Sequence, residues 1–141
     1  MIEILLPIKP ISYNAYYRNS RTGKRIKTGK GHAFDEELDL LLGVYEDSLR
    51  KFRELLDPSK FIVKMTMQVG NPDYYLKDGS RLSMTGGDVD NYLKVTQDKI
   101  FREIGFDDYI CKHIEVIDYH SLEAQTKINL ELRPHYNSPI L

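Results

Sequence analysis

A single cysteine, Cys111, excludes any disulfide within the chain and, with it, the stapled frameworks of small secreted domains; a reducing cytosol fits. No apolar run approaches the roughly 20 residues needed to span a bilayer. The opening Met1-Ile2-Glu3-Ile4-Leu5-Leu6-Pro7 is too short and too acidic for a signal peptide, so a soluble, cytoplasmic protein with no membrane contact is expected. The usual site motifs are missing as well. His32, His113, His120 and His135 show no helical His-x-x-x-His spacing, which speaks against zinc, and there is no G-x-x-x-x-G-K-[ST], G-x-G-x-x-G or G-x-S-x-G. Cys111 reads as a small buried residue rather than a nucleophile.

Net charge is also lacking, at a formal −1, so the chain as a whole has little to attract a polyanion. Its distribution says otherwise. Between Ile4 and Phe34 there is no acidic residue, while Lys9, Arg18, Arg21, Lys24, Arg25, Lys27 and Lys30 are basic. A solvated loop is the plain explanation of such a run. Here Tyr13, Tyr16 and Tyr17 lie beside the cations and offer stacking faces, the combination that suits nucleic acid.

What the 141 residues do contain is the patterning of one domain with a single hydrophobic core. Ile2 to Ile8 reads as a strand, and residues 12–33 as a polar, tyrosine-rich loop. Phe34, Leu38, Leu41, Leu42, Tyr45, Leu49, Phe52 and Leu56 then recur at helical spacing up to Pro58. Leu40, Val44 and Leu55 fall off that stripe and suggest a second buried face, against another subunit. Phe61 to Val69 alternates as a half-buried strand. A long Gly/Asp/Ser/Tyr connection from Gly70 to Gly87 leads to a helix from about Asp88 to Ile104, capped by Gly105. Strands follow near Ile110–Tyr119 and Thr126–Arg133, with Leu122 to Ala124 as the turn and a loose tail from about 134. The expected fold is α+β or α/β, a single small mixed sheet with two helices in the order β-α-β-α-β-β.

The strongest chemical signal is Gly87-Asp88-Val89-Asp90-Asn91-Tyr92-Leu93-Lys94, followed by Asp98 and by Gly105-Phe106-Asp107-Asp108. Carboxylates this close repel unless a cation or proton sits between them. An all-oxygen set suits Mg²⁺ or Mn²⁺ rather than zinc. Structural explanations exist for each piece: Asp88 and Asp90 as helix starters, Asp90, Lys94 and Asp98 as an i, i+4, i+8 salt-bridged face, and Gly105 to Asp108 as a helix exit.

Taken with Ser12-Tyr13-Asn14-Ala15-Tyr16-Tyr17-Arg18 and Gly31-His32-Ala33-Phe34, these segments resemble the RusA family of Holliday junction resolvases over roughly residues 4–133. The resemblance implies Mg²⁺ ligation by Asp88, Asp90 and Asp108, with Lys94 assisting cleavage and Mn²⁺ able to substitute. It implies a homodimer that cuts four-way junctions in branched DNA, located with the nucleoid or with phage DNA. Asn14, Tyr17, Arg18, Arg21, Lys24, Arg25, Lys27 and Lys30 are then the candidate DNA contacts. One departure is visible. The arginines that precede the Asp-x-Asp in the family are replaced by Ser83-Met84-Thr85-Gly86-Gly87, with Lys77 and Arg81 further back.

Chain geometry adds an expectation about assembly. A helix over residues 91–104 carries the chain about 21 Å from Asp90 at 1.5 Å per residue. Gly105 to Asp108 can return at most about 14 Å when fully extended. Asp108 can meet Asp88 and Asp90 of its own chain only if this connection runs nearly straight back along the helix, and a meeting with those of a second subunit across a two-fold axis is expected instead. Competing functions are a metal-dependent nuclease acting on other branched DNA or on RNA, and a catalytically silent junction-binding protein. A sugar-nucleotide transferase is more distant, because no nucleotide-binding half is present.

Overall fold

The computed structural model describes residues 1–72 and 89–137, with residues 89–92 described by their backbone alone. A four-stranded mixed sheet is built from β1 (Ile2–Leu6), β4 (Phe61–Asn71), β5 (Cys111–His120) and β6 (Gln125–Pro134), in the spatial order β1-β6-β4-β5. The strand β6 runs antiparallel to both β1 and β4, whereas β4 and β5 are parallel and are joined through the helix α4 (Val89–Ile104). A parallel pair requires such a crossover. The chain is α+β as expected, and its main elements keep the order β-α-β-α-β-β.

Alternation sets which face of the sheet is buried. Ile2, Ile4 and Leu6 of β1, Val63, Met65, Met67 and Val69 of β4, and Ile128 and Leu130 of β6 share one face and are buried. Leu38, Leu42, Leu49, Phe52, Ile100, Phe101 and Ile104 from the helices complete this core. Lys64, Thr66, Gln68, Lys127, Asn129 and Glu131 occupy the opposite face. No helix among the described residues is long and apolar enough to cross a membrane.

Two segments differ from expectation. The single helix expected from Phe34 to Leu56 is two helices, α2 (Gly29–Gly43) and α3 (Glu46–Leu55). Gly43 is a poor helix former, and the Tyr45 hydroxyl both accepts from Leu5 N–H (3.0 Å) and donates to Leu5 C=O (3.2 Å). That tether on β1 turns the chain while the apolar stripe stays in phase. Leu40, Val44 and Leu55 are exposed in the single chain, where a second subunit could reach them.

The supposed loop 12–33 is also structured. A one-turn helix, α1 (Tyr13–Tyr16), leads into a hairpin of β2 (Tyr17–Asn19) and β3 (Arg25–Lys27), and α2 then begins five residues before Phe34. Ser12 caps α1 by accepting from Ala15 N–H (3.2 Å), and Thr28 caps α2 by accepting from Gly31 N–H (3.0 Å). The Thr28 hydroxyl in turn donates to Ala15 C=O (2.6 Å), closing the hairpin against α1. Gly31 is needed here, because a Cβ at that position would come within 2.7 Å of the Tyr16 carbonyl oxygen. The start of the tail is attached rather than loose: His135 Nε2 lies 2.8 Å from Pro58 O and the Tyr136 hydroxyl 2.9 Å from His113 Nδ1.

Candidate functional site

The helix α4 ends as its sequence predicts. Gly105 takes φ +84°, and the N–H groups of Gly105 and Phe106 both return to Phe101 C=O, at 2.9 and 3.3 Å. The chain then doubles back beside the helix into a 3₁₀ turn, Asp108–Ile110, before entering β5. Asp107 sits at its N-cap, with a carboxylate oxygen 3.5 Å from Tyr109 N.

This return brings together residues 14 positions apart. Lys94 Nζ lies 3.3 Å from Asp98 Oδ1 and 3.4 Å from Asp108 Oδ2. Asp98 is thus the partner of Lys94 that their i, i+4 spacing predicts. Hydrogen bonding with the Asp107 side chain, followed by the charge and hydrogen bond of Lys94 and hydrogen bonding with Asp98, holds the Asp108 carboxyl below its usual value against partial burial. Burial works against the Lys94 charge. The Asp98 hydrogen bond and the two carboxylates outweigh it and hold the ammonium above its usual range. At neutral pH a charged Lys94 stands beside an ionised Asp108 carboxylate.

The expected ligand triad is only partly placed. Asp88 lies outside the described residues, and the side chains of Asp90 and Asn91 lie outside them too. Among the described residues no group of three or more His, Cys, Asp or Glu side chains is arranged to hold a metal ion. Asp108 does suit a hard cation, being an ionised and partly exposed oxygen donor. It rejoins α4 at the level of Lys94 and Asp98, which are four and eight residues from Asp90. Asp90 thus lies one helical turn from the residue that Asp108 contacts.

The basic run divides into two groups. Arg18, Arg21, Lys24, Arg25 and Lys30 are exposed, and Arg25 lies over the Tyr13 ring at 4.7 Å. Asn14 is exposed and Tyr17 half-buried on the same unit. Lys27 belongs instead to an internal network. Its ammonium bonds Asp35, whose carboxylate also accepts from the Tyr16 hydroxyl (2.8 and 2.9 Å). On the other side, Lys99 of α4 lies 3.8 Å from Asp35 and 2.7 Å from Asp39. Burial opposes the Asp35 charge, yet the bonds from Lys27 and Tyr16 and the charge of Lys99 carry its carboxyl below the usual value. The same bonds push the Lys27 ammonium upward.

Sequence reasoning did not find this Asp35–Lys99–Asp39 network. The available hint was that Asp35 is the first carboxylate after thirty-one residues without one. Elsewhere, Cys111 is half-buried and its thiol is pushed up to about 11, chiefly by burial, so it stays protonated at neutral pH. His113 is half-buried on β5 between Tyr136 and Glu115. No protein-family model matches the chain, and no curated protein matches it.

Proposed function

We propose that this chain is a divalent-metal-dependent endonuclease that cuts four-way and related branched DNA, as its resemblance to the RusA resolvases implies. The observation that carries this reading is the position of Lys94. It contacts Asp108 and also lines the groove beneath Tyr13, Tyr16 and Tyr17, so the acidic cluster and the cationic hairpin unit are neighbours across one face of α4.

Asp88, Asp90 and Asp108 would hold Mg²⁺, with Mn²⁺ an alternative of the same ligand chemistry. A bound divalent ion supplies activated water and neutralises charge on the phosphoryl oxygens. The chain's own contribution is then electrostatic and positional. Lys94 keeps its proton and presents it to the scissile phosphate or to the charge developing on the leaving oxygen. Asp98 holds the ammonium from one helical turn away, and Asn91 is placed in sequence to orient a ligand carboxylate or a water. The exposed Arg18, Arg21, Lys24, Arg25 and Lys30 would grip the phosphate backbone, fixing register without reading sequence.

We propose a homodimer with composite sites, Asp108 from one subunit joining Asp88 and Asp90 of the other, since cutting both strands of a junction symmetrically needs two sites related by a two-fold axis. The test of the reading is Asp90→Asn. Junction cleavage should be lost, while junction binding is kept or strengthened by removal of one negative charge. Unchanged turnover in a folded variant would remove Asp90 from the site.

A further inference from the structure

A groove of about 130 Å³ lies between the α1–β2 unit and α4. It is lined by Tyr13, Tyr16 and Tyr17 on one wall and by Lys94, Val95, Asp98, Lys99 and Arg102 on the other. The three rings pack against one another at steep angles, with Tyr16 the buried one. Tyr16 meets Tyr17 edge-on, with centroids 4.7 Å apart at 81°, and Tyr13 leans on Tyr17 at 5.1 Å and 58°. Tyr16 is fixed from behind by its hydroxyl bond to Asp35, and the network continues to Lys99 of the opposite wall.

We infer that this groove receives one unstacked nucleobase of the substrate, the base of a nucleotide whose phosphate lies at Lys94 and Asp108. The inference rests on the nuclease reading above and names how that substrate is held. Size argues for a single planar ring system, since the volume is well below the roughly 300–1,000 Å³ of sites that enclose larger ligands. Charge argues for a neutral ligand with mixed polar edges. Lys94 is matched by Asp98 and Asp108, and Lys99 by Asp35 and Asp39, so carboxylates face two of the three cations of the lining, the third being Arg102. A phosphate or carboxylate entering it would face the Asp98 carboxylate. A base edge carries donors and acceptors together, and Asp98 beside Lys94 and Arg102 offers both kinds of partner. Aromatic walls stack any base without sequence preference.

Location supplies the last argument. Lys94 and Asp98 are shared between the groove and the acidic cluster, so a base in the groove sets its own phosphate beside Asp108. Extrusion costs least where a base is already poorly stacked or unpaired, as at a branch point. The groove would therefore select the branch and position the bond to be cut at the same time.

The test moves a single abasic site through the nucleotides flanking the crossover of a synthetic four-way junction. Affinity of the full-length protein is measured in EDTA, so that no strand is cut. Wild-type protein should lose roughly 5- to 150-fold in affinity at one position of each equivalent strand. Tyr17→Leu should bind the intact junction more weakly and show no further loss at that position, whereas Tyr17→Phe, which keeps the ring, should behave as wild type. Should Tyr17→Leu fail to unfold cooperatively on heating, Tyr13→Leu carries the same comparison. A wild-type protein that binds and cuts junctions yet gives a flat abasic profile overturns the groove inference alone, as does full abasic sensitivity in the leucine variants. A wild-type protein that neither binds nor cuts junctions fails earlier, on the nuclease reading itself, and takes the inference with it.

Discussion

Asp35 governs more of this site's architecture than any other single residue, because one carboxylate joins α1, β3 and α4 through Tyr16, Lys27 and Lys99. Its side chain is only 13% exposed, so the bonds are shielded from water. Asp35→Asn should therefore lower stability by about 1–3 kcal/mol, the range for hydrogen bonds to charged groups. The pH dependence has a definite sign. The folded-state value of Asp35 is lowered, so its contribution is present above the ordinary carboxylate range and fades as pH falls through the folded value. Lys27 is raised, so its contribution is complete below the ordinary lysine range and fades only in strong alkali. Urea unfolding of wild type and Asp35→Asn should differ fully at pH 7 and converge in acid; a gap that persists or widens in acid would refute the assignment. None of these pairings was legible in the sequence, because Asp35 and Lys99 are 64 positions apart and no local pattern links them. Lys94 and Asp98 were legible, since i, i+4 spacing on a helix dictates their contact.

At the scale of elements, legibility followed length. The strand β4 alternates from Val63 to Val69 and could be read directly, as could the α4 stripe and its Gly105 cap. The α1 helix has four residues and β2 and β3 three each, too few for a period to register. A two-stranded hairpin is marginal alone, and this one persists through Thr28 on Ala15 and Lys27 on Asp35. The hairpin therefore presents its arginines from a fixed base, which gives it a distinct signature. Replacing Arg21, Lys24 and Arg25 together by alanine should weaken junction binding and reduce the log–log salt slope by roughly 0.9 for each phosphate no longer neutralised. Unfolding midpoints should barely move, since all three side chains are exposed. An unchanged salt slope would mean that the hairpin is solvated surface and nothing more.

For the whole molecule, sequence pattern captured the sheet-and-helix class because each long element buries one face, as its own periodicity requires. The spatial strand order β1-β6-β4-β5 was not available from pattern, since consecutive β5 and β6 are separated by β4 rather than paired. Of the candidate site, the acidic residue types could be read, but their meeting could not, because it depends on the return of the chain after Gly105. That return ends beside Lys94 and Asp98, one and two helical turns from Asp90, and the proposed composite-site dimer has its own test. Mixing Asp90→Asn with Asp108→Asn under conditions that exchange subunits should restore nicking without paired cuts, because each mixed dimer regains one intact site. Confirmed mixed dimers that stay inactive would place each site within one chain.

Beneath these refinements stands the claim of metal-dependent cleavage at a DNA branch. It is tested most directly by incubating the wild-type protein with a synthetic four-way junction, a flap and a linear duplex of matched sequence, with and without Mg²⁺. The account predicts paired cuts near the junction's crossover with Mg²⁺, none in EDTA, and a linear duplex left whole. Tight junction binding with no cleavage at any Mg²⁺ or Mn²⁺ concentration would contradict it, and would leave a protein that recognises branched DNA without cutting it.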